Sequence, residues 1–233
     1  MTNKLFTFSD LKTVFVDMGI DGAGFSNPML KKDLGLDSQE FIEFVIELET
    51  ALGLEIPDGL LKNDDTITGV LVKLNNLQFG FSDHRVDTIK INSDLHTVKQ
   101  AIWDLHSWES KLTHINSLNI IEQSDSYQEF WMEVVSENSI VKAESNRFLY
   151  ENLIYFYQPT PPQFLEKHGG YWEFLSDGDL TEIRLHHQWI ESKESLSQLD
   201  CHNRTEARKK ISEILKQHAY ETLSKWKEIL DEK

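Results

Sequence analysis

The chain has 233 residues, enough for one large domain or two modest ones. Hydrophobic residues make up 39% of it and aromatic residues 11%, so we expect packed cores and not disorder. The net charge of −16 is shared between residues 1–80 and the remainder, which argues against nucleic acid or an anionic membrane surface as a partner.

The cysteine content and the hydropathy predict the compartment. Cys201 is the single cysteine and cannot form an internal disulfide, which favours a reducing environment. The first residues lack the apolar core of a secretion signal, and no stretch approaches the ~18 apolar residues that span a bilayer. These features predict a cytoplasmic protein without a membrane span.

The first third of the chain has the spacing of a small all-α four-helix bundle. Apolar residues recur at helical intervals over residues 5–18, and a loop rich in Gly and Asp follows over residues 19–28. A second helix is predicted from Asp37 or Ser38 to about Leu52. Its apolar positions are Phe41, Ile42, Phe44, Val45, Leu48 and Leu52.

The end of this bundle sets the predicted domain boundary. Short helical pieces are expected near Leu60 and over residues 67–74, and residues 75–84 read as a short, rather apolar linker. The pattern changes to strands after this linker. We therefore predict two domains, residues 1–78 and 79–233.

Ser38 stands at the start of the second predicted helix, where a hydroxyl is exposed. The first N–H groups of a helix lack internal partners, and these donors and the helix dipole stabilise a phosphate esterified there. The alternative is structural, because Asp37 followed by Glu40 is also an ordinary capping box. These residues alone leave both interpretations open.

The surrounding motifs resemble those of acyl carrier proteins over about residues 5–77. The matching runs are DLGLDSQEF (33–41), LETALGLEIPD (48–58) and TITGV (66–70). The resemblance implies a covalent 4′-phosphopantetheine on Ser38, attached by a phosphopantetheinyl transferase, and a polyketide synthase ketosynthase as a further partner. It also implies a partner-recognition surface, in which Gln39 replaces the family's usual Leu. That surface comprises Asp37, Gln39, Glu40, Glu43 and Glu47.

The second part of the chain has the pattern of an α+β helix-grip fold. A strand over residues 86–91 precedes a helix capped by Asp94, and a long helix is predicted from Asn203 to Leu230. Close spacing with short polar turns predicts an antiparallel sheet, wrapped around the long helix with a deep cavity between them. Its further strands are expected at residues 118–122, 127–135, 140–149, 153–157, 171–175 and 180–190.

Alternation sorts the strand residues by face. In the last strand Ile183, Leu185, His187 and Trp189 share one side, which we expect to face inward. In residues 153–157 the large set is Leu153, Tyr155 and Tyr157, expected to face the pocket with Trp108, Trp131 and Trp172.

Arg147 shares an apolar face with Ser145, and burying a guanidinium is costly unless it is paired or lines a polar cavity. Two ordinary alternatives remain open: an inward histidine is often only a bonded core residue, and a face shifted by one residue would put Arg147 in a surface ion pair. No residue set has metal-ligand spacing, and the adjacent His186 and His187 point to opposite faces, so no metal is expected.

A second resemblance, over about residues 84–230, is to bacterial polyketide aromatase/cyclases of the START-like (Bet v 1-like) group. Matching segments are WDLHSW (103–108), SNR (145–147), IYFY (154–157), GYWEF (170–174) and TEIRLHH (181–187). The resemblance implies a pocket arginine that acts in ring closure, matched by Arg147 with Ser145. Asn203 also fits the family's pattern, whereas the usual pocket tyrosine is replaced by Ile115 with His114 beside it.

Together the resemblances imply a carrier–aromatase/cyclase didomain. A polyketide thioester carried at Ser38 would undergo aldol cyclisation and dehydration in the second domain. Arg147 would stabilise the enolate or alkoxide, and His187, His114 or a tyrosine would move protons. Two alternatives remain: a non-catalytic START-like domain that binds lipid or polyketide, and an interaction domain with a filled core.

Overall fold

A computed structural model describes residues 5–20, 27–136 and 139–231. The chain forms two compact units: Met1–Gly80 together with Ser124–Tyr127, and Phe81–Gln123 together with Gln128–Lys233. The predicted loop over residues 19–28 falls mostly on residues 21–26, outside the described part. No helix of the described residues is long and apolar enough to cross a bilayer.

The first unit is helical. Phe15 and Phe44 stack with ring centroids 5.0 Å apart and form the centre of its core. The buried Asn75 side chain binds both backbone groups of Phe6, at 2.8 and 2.9 Å, and so ties the N-terminal segment to the third helix. Its helices are α1 (Phe8–Asp17), α2 (Ser38–Leu52) and α3 (Ile67–Phe79).

Three expectations for this unit were wrong. The short helix near Leu60 is a turn, in which the Leu60 N–H donates to the Pro57 carbonyl. Helix α3 continues to Phe79 and ends at Gly80 in the left-handed conformation, so the first half of the predicted linker is helix. Ile42 is 59% exposed, because the buried stripe of α2 is narrower than its apolar pattern.

The second unit is a seven-stranded sheet in the order β1-β7-β6-β5-β4-β3-β2. Every strand pair with a recorded register is antiparallel. The strands are β1 (Asp83–Ile91), β2 (Ile115–Gln123), β3 (Tyr127–Ser136), β4 (Ser139–Tyr150), β5 (Leu153–Thr160), β6 (Leu165–Asp177) and β7 (Leu180–Glu191). The helices are α4 (Leu95–Trp103), α5 (Trp108–Lys111), α6 (Ser195–Gln198) and α7 (Arg204–Asp231), with a 3₁₀ turn at Leu105–Ser107.

Helix α7 lies against the sheet along the stripe that the sequence predicts. Ile211 and Leu215 pack with Trp189 at one end, whereas Leu223 and Trp226 join the main core at the other. The predicted helix-grip fold is therefore confirmed.

Strand β6 begins at Leu165, earlier than the predicted residue 171, and includes Gly169 and Gly170. The two glycines allow close approach of neighbouring strands. A Cβ on Gly170, at φ +150°, would lie 1.8 Å from the His186 carbonyl oxygen, and one on Gly169 would lie 2.8 Å from the Phe156 carbonyl oxygen.

Replacing Gly170 with alanine is expected to lower the free energy of unfolding of the second unit by about 3 kcal/mol, because the backbone of β7 must shift. Urea unfolding followed by tryptophan fluorescence measures this, since all six tryptophans belong to that unit. The control Gly178→Ala, with φ +65° and open space around it, should cost about 1 kcal/mol. Equal losses for the two variants would contradict the steric explanation.

Candidate functional site

Ser38 is exposed at the first position of α2, with Asp37 as the N-cap residue. The Asp37 carboxylate accepts the N–H groups of Gln39 and Glu40 at 2.8 and 2.9 Å, and Glu40 accepts the Asp37 N–H at 2.9 Å. The capping box and the exposed hydroxyl therefore coexist. The capping corrects one expectation: two of the donors at the start of α2 are already bonded and are not available to a phosphate.

The outer face of α2 carries the predicted partner-recognition residues. Glu43 and Glu47 are exposed on successive turns, and the Gln39 side chain donates to Glu43 at 3.0 Å. Ile42 and Ile46 lie beside them at 59% and 53% exposure. This part of the unit thus offers acidic and apolar groups together.

A cavity lies between the concave face of the sheet and α7 in the second unit. The volume of this cavity that the centre of a water molecule can occupy is about 60 Å³. Trp108, Phe130, Phe156 and Trp172 provide its aromatic walls. Its polar lining residues are His114, Ser145, Arg147, Gln158, His168, His187, His218 and Thr222.

Arg147 on β4 is a buried cation in this wall, at 2% exposure. Its Nε donates to the Gln128 side-chain oxygen at 2.9 Å, and Nη1 and Nη2 donate to the carbonyls of Ile102 and Trp103 at 2.9 and 2.7 Å. A further bond joins Nη2 to Gln128. The two carbonyls are at the C-terminal end of α4, where the helix dipole is negative and favours a cation.

Aromatic rings complete the environment of this guanidinium. Its carbon lies 4.8 Å from the Trp108 ring centroid and 5.1 Å from that of Trp103. Burial lowers the pKa of Arg147 to about 9, partly offset by the Asp104 carboxylate, so the group remains charged at neutral pH. Four of its five N–H groups are used, which leaves one on Nη1 for a guest.

A chain of polar side chains crosses the four strands β4 to β7 in the wall that also holds Arg147. Gln158 donates from Nε2 to the Ser145 hydroxyl at 3.4 Å, and its Oε1 is 2.6 Å from His168 Nδ1. His168 Nε2 is 3.0 Å from His187 Nδ1, and the two rings stack with centroids 5.2 Å apart. His187 Nε2 has no hydrogen-bond partner among the described residues.

A second polar group lies across the cavity. His114 Nε2 is 3.2 Å from the Thr222 hydroxyl, and the His218 ring stands edge-on to both His114 and His187. Burial lowers the pKa of His168 to about 3 and that of His218 to about 4. It also holds the pKa of His187 well below the usual value, with the neighbouring His168 adding to the effect. These histidines are therefore neutral at pH 7.

Several residues predicted for the pocket lie elsewhere. Tyr155 and Tyr157 are on the opposite face of β5 from Phe156 and Gln158, and Tyr155 packs instead on Tyr171. Both faces of β5 carry aromatic residues, so alternation could not identify the inner one. The described cavity lining contains no tyrosine, which removes a tyrosine as proton carrier.

Three further assignments differ from the structure. Trp131 is outside the cavity lining and packs under the Lys142 ammonium, because Phe130 and Met132 take the inner face of β3. Trp189 faces inward but lies beyond the cavity in the core under α7. Asn203 is exposed and caps α7 by accepting the Glu206 N–H at 2.9 Å.

The structure does place Arg147, Ser145, His187, Trp108, His114 and Trp172 around the cavity. It adds Gln158, His168 and His218, which the sequence interpretation missed. His168 was hidden by the two glycines that follow it. His218 and Thr222 were detectable as a polar pair at i, i+4 beside the apolar stripe of α7.

Comparisons with known proteins agree with this organisation. Residues 30–71 match the family model described as a phosphopantetheine attachment site. The match confirms the predicted carrier domain and its covalent 4′-phosphopantetheine. Such a domain requires a phosphopantetheinyl transferase, and the exposed Ser38 hydroxyl within the matched range fits the attachment.

Solved structures share the fold. The Zhui aromatase/cyclase from Streptomyces superposes with a TM-score of 0.57 at 16% identity, covering 64% of this chain and 93% of that one. The di-domain ARO/CYC proteins StfQ, from the steffimycin pathway, and BexL, from the BE-7585A pathway, give TM-scores of 0.62 and 0.61 at 16% and 18% identity. They cover 86% and 85% of this chain, which spans 62% and 63% of theirs. The chain thus joins a domain that matches the phosphopantetheine-attachment model to a domain with the fold of the Zhui aromatase/cyclase.

The described residues contain no group of three or more His, Cys, Asp or Glu side chains arranged to hold a metal ion. The histidines of the cavity bond to one another, to Gln158 and to Thr222.

The buried histidines predict that acid destabilises the second unit. Their folded-state pKa values lie below the ordinary ~6.5, so between pH 4 and 6.5 the unfolded chain binds more protons and the free energy of unfolding falls as pH falls. His218→Gln should reduce this slope by about 1.4 kcal/mol per pH unit, measured by urea unfolding with tryptophan fluorescence between pH 4.5 and 6. The exposed control His96→Gln should leave it unchanged; equal slopes in all three proteins would exclude the effect.

Proposed function

We propose that the chain is a carrier–aromatase/cyclase didomain of polyketide biosynthesis. A polyketide thioester is carried on phosphopantetheine at Ser38, and the cavity of the second unit directs its aldol cyclisation and dehydration. The observation that carries this proposal is a charged guanidinium, Arg147, buried in the same wall as the unpartnered Nε2 of His187.

Arg147 is suited to stabilise the oxyanion. When an enolate attacks a carbonyl, negative charge moves between oxygen atoms, and a fixed cation beside them lowers the barrier. The guanidinium is held by Gln128 and the end of α4, so it needs little reorganisation during the reaction. Its remaining Nη1 hydrogen provides a directed contact to one carbonyl of the guest.

His187 is suited to move protons. Its Nε2 accepts a proton from a carbon between two carbonyls, whose electron pair becomes the enolate. The same proton can return to the alkoxide that ring closure forms, and a second C–H proton taken by Nε2 can go to the hydroxyl that leaves as water. Ser145, at the far end of the polar chain, provides a second hydroxyl contact in the wall.

The walls supply the regiochemistry. A flexible poly-β-ketone has many possible closures, and a shaped apolar surface favours the one whose reacting carbons it brings together. The cavity volume of about 60 Å³ is small for such a guest. Binding therefore requires aromatic side chains of the wall, such as Trp108 and Trp172, to move. The carrier, in turn, receives its chain from a ketosynthase of a polyketide synthase.

The alternative is a carrier fused to a START-like domain that binds a lipid or polyketide without catalysis. Eight of the sixteen described lining residues are aromatic or aliphatic, among them Phe130, Met132 and Leu185, and such a surface is suited to hold an apolar guest. The two functions differ in product: a binding domain retards or leaves unchanged the spontaneous cyclisation, whereas a cyclase selects one ring.

The carrier assignment predicts a covalent gain on Ser38. Incubation of the full chain with coenzyme A and a phosphopantetheinyl transferase should add one phosphopantetheine, measured by intact-protein mass spectrometry. Ser38→Ala should show no gain, whereas Ser9→Ala, on the exposed face of α1, should behave as wild type. A gain on Ser38→Ala would place the attachment elsewhere.

The cyclase assignment predicts a change of product in Arg147→Met. The test follows a synthetic linear poly-β-ketone thioester by liquid chromatography and mass spectrometry. Loss of the oxyanion contact should slow the selected closure by about 10²-fold and return the mixture to that of the uncatalysed reaction. Lys142→Met removes a cation from the outer face of the same strand and is the matched control.

Tryptophan fluorescence must first show that Arg147→Met is folded, since the change removes one hydrogen-bond donor from each of two carbonyls of α4. An unchanged product profile in the folded variant would remove the role of Arg147. A wild-type mixture equal to that of the probe alone would favour the binding alternative.

A further inference from the structure

The chain Ser145–Gln158–His168–His187 has a direction that its donors and acceptors fix. Gln158 Oε1 can only accept a hydrogen bond, so His168 Nδ1, 2.6 Å away, must be the donor. A neutral imidazole has a single N–H, which leaves His168 Nε2 as an acceptor.

The same reasoning extends to the second ring. His168 Nε2 accepts from His187 Nδ1 at 3.0 Å, so the one hydrogen of neutral His187 is on Nδ1. His187 Nε2 is then a bare lone pair. It belongs to a side chain at 3% exposure that lines the cavity and has no bonding partner there among the described residues.

We propose that Gln158 and His168 are positioning residues that hold His187 in the tautomer whose Nε2 accepts a proton from the bound substrate. This deepens the proposed function and rests on it for the identity of the reaction. Gln158 and His168 also line the cavity, and in this role they act through the His187 ring.

The chain also prepares His187 for the charge that follows. When a substrate C–H bond breaks, the proton forms the Nε2–H bond and its electron pair remains on the substrate as an enolate. The resulting imidazolium still donates from Nδ1 to His168, whose dipole is oriented by Gln158. The enolate beside the ring offsets part of the cost of a buried positive charge. Return of that proton to the alkoxide formed by ring closure restores the neutral ring. Loss of water repeats the cycle, because a second C–H proton moves to Nε2 and is then given to the leaving hydroxyl.

The opposite proton arrangement on both histidines would require the Gln158 amide to be rotated. An amide rotated by 180° would donate to His168 Nδ1, reverse both histidines and leave an N–H at His187 Nε2. Its contact with the Ser145 hydroxyl would be retained, since a hydroxyl both donates and accepts. The proton position on His187 is therefore the decisive observation.

The test is histidine NMR on the full chain labelled with ¹⁵N-histidine at pH 7, without substrate. Two-bond proton–nitrogen correlations should show a protonated Nδ1 and an unprotonated Nε2 for His187, whose signals are assigned as those lost in His187→Gln. A proton on Nε2 would overturn the proposal.

Variants test the part played by Gln158. Gln158→Leu removes the acceptor for His168 and should convert both rings to mixtures of tautomers. Gln158→Glu restores an acceptor oxygen and should restore the single tautomer. Thr181→Val, which removes a buried bond to the Ser93 carbonyl at the other end of β7, is the control and should change neither ring. An unchanged His187 tautomer in Gln158→Leu would overturn the assignment.

Kinetics with the poly-β-ketone thioester separate this proposal from the function on which it rests. Gln158→Leu should lower kcat by about 10²-fold with little change in KM, whereas Thr181→Val retains wild-type values. An unchanged kcat in Gln158→Leu would overturn the positioning role. If wild type shows the expected tautomer but no selective cyclisation, the proposed function fails while the tautomer assignment stands.

Discussion

The burial of one guanidinium, which bonds to no carboxylate of the described residues, governs the architecture of the second unit. Arg147 takes its acceptors from two carbonyls at the end of α4 and from Gln128 on β3. An unpaired buried charge is costly, and these acceptors and the flanking indole rings compensate for it. Because the acceptors come from a helix end and a neighbouring strand, the charge also fixes how α4 meets the sheet. The position of the cation and the packing of α4 on the sheet therefore depend on each other.

The other polar groups of the cavity add no second charge to its wall at pH 7 among the described residues. Burial keeps His168, His187 and His218 neutral, so among the described lining residues Arg147 is the one that is charged at pH 7. A guest that develops negative charge is therefore attracted toward a single place. The neutral histidines can still accept and return protons, which permanently charged groups in their place could not do.

The sequence predicted the parts of the chain where local pattern and tertiary structure agree. Helix α2 and its cap follow from Asp37, Ser38 and Glu40, and the buried stripe of α7 follows from its spacing. It failed where two faces look alike: β5 carries aromatic residues on both, so Tyr155 was assigned inward and Gln158 was overlooked. The sequence prediction also failed at the start of β6, where Gly170 lies within the strand and allows it to pack closely against β7. The polar chain could not be predicted, because its members come from four strands and only the register brings them together.

The composition of the cavity wall favours a role beyond enclosure. A pocket that only shelters an apolar guest is most stable when its wall is apolar, since every buried polar group must be matched by a partner. Here Ser145, Gln158 and His168 match one another, and the chain of bonds ends at an atom of His187 that nothing in the described wall satisfies. A buried acceptor without a donor, such as His187 Nε2, lowers the stability of the fold. A guest that donates a hydrogen to this atom offsets that loss. In the proposed function, a ketide with acidic C–H groups between its carbonyls would supply that hydrogen and place an oxygen near Arg147.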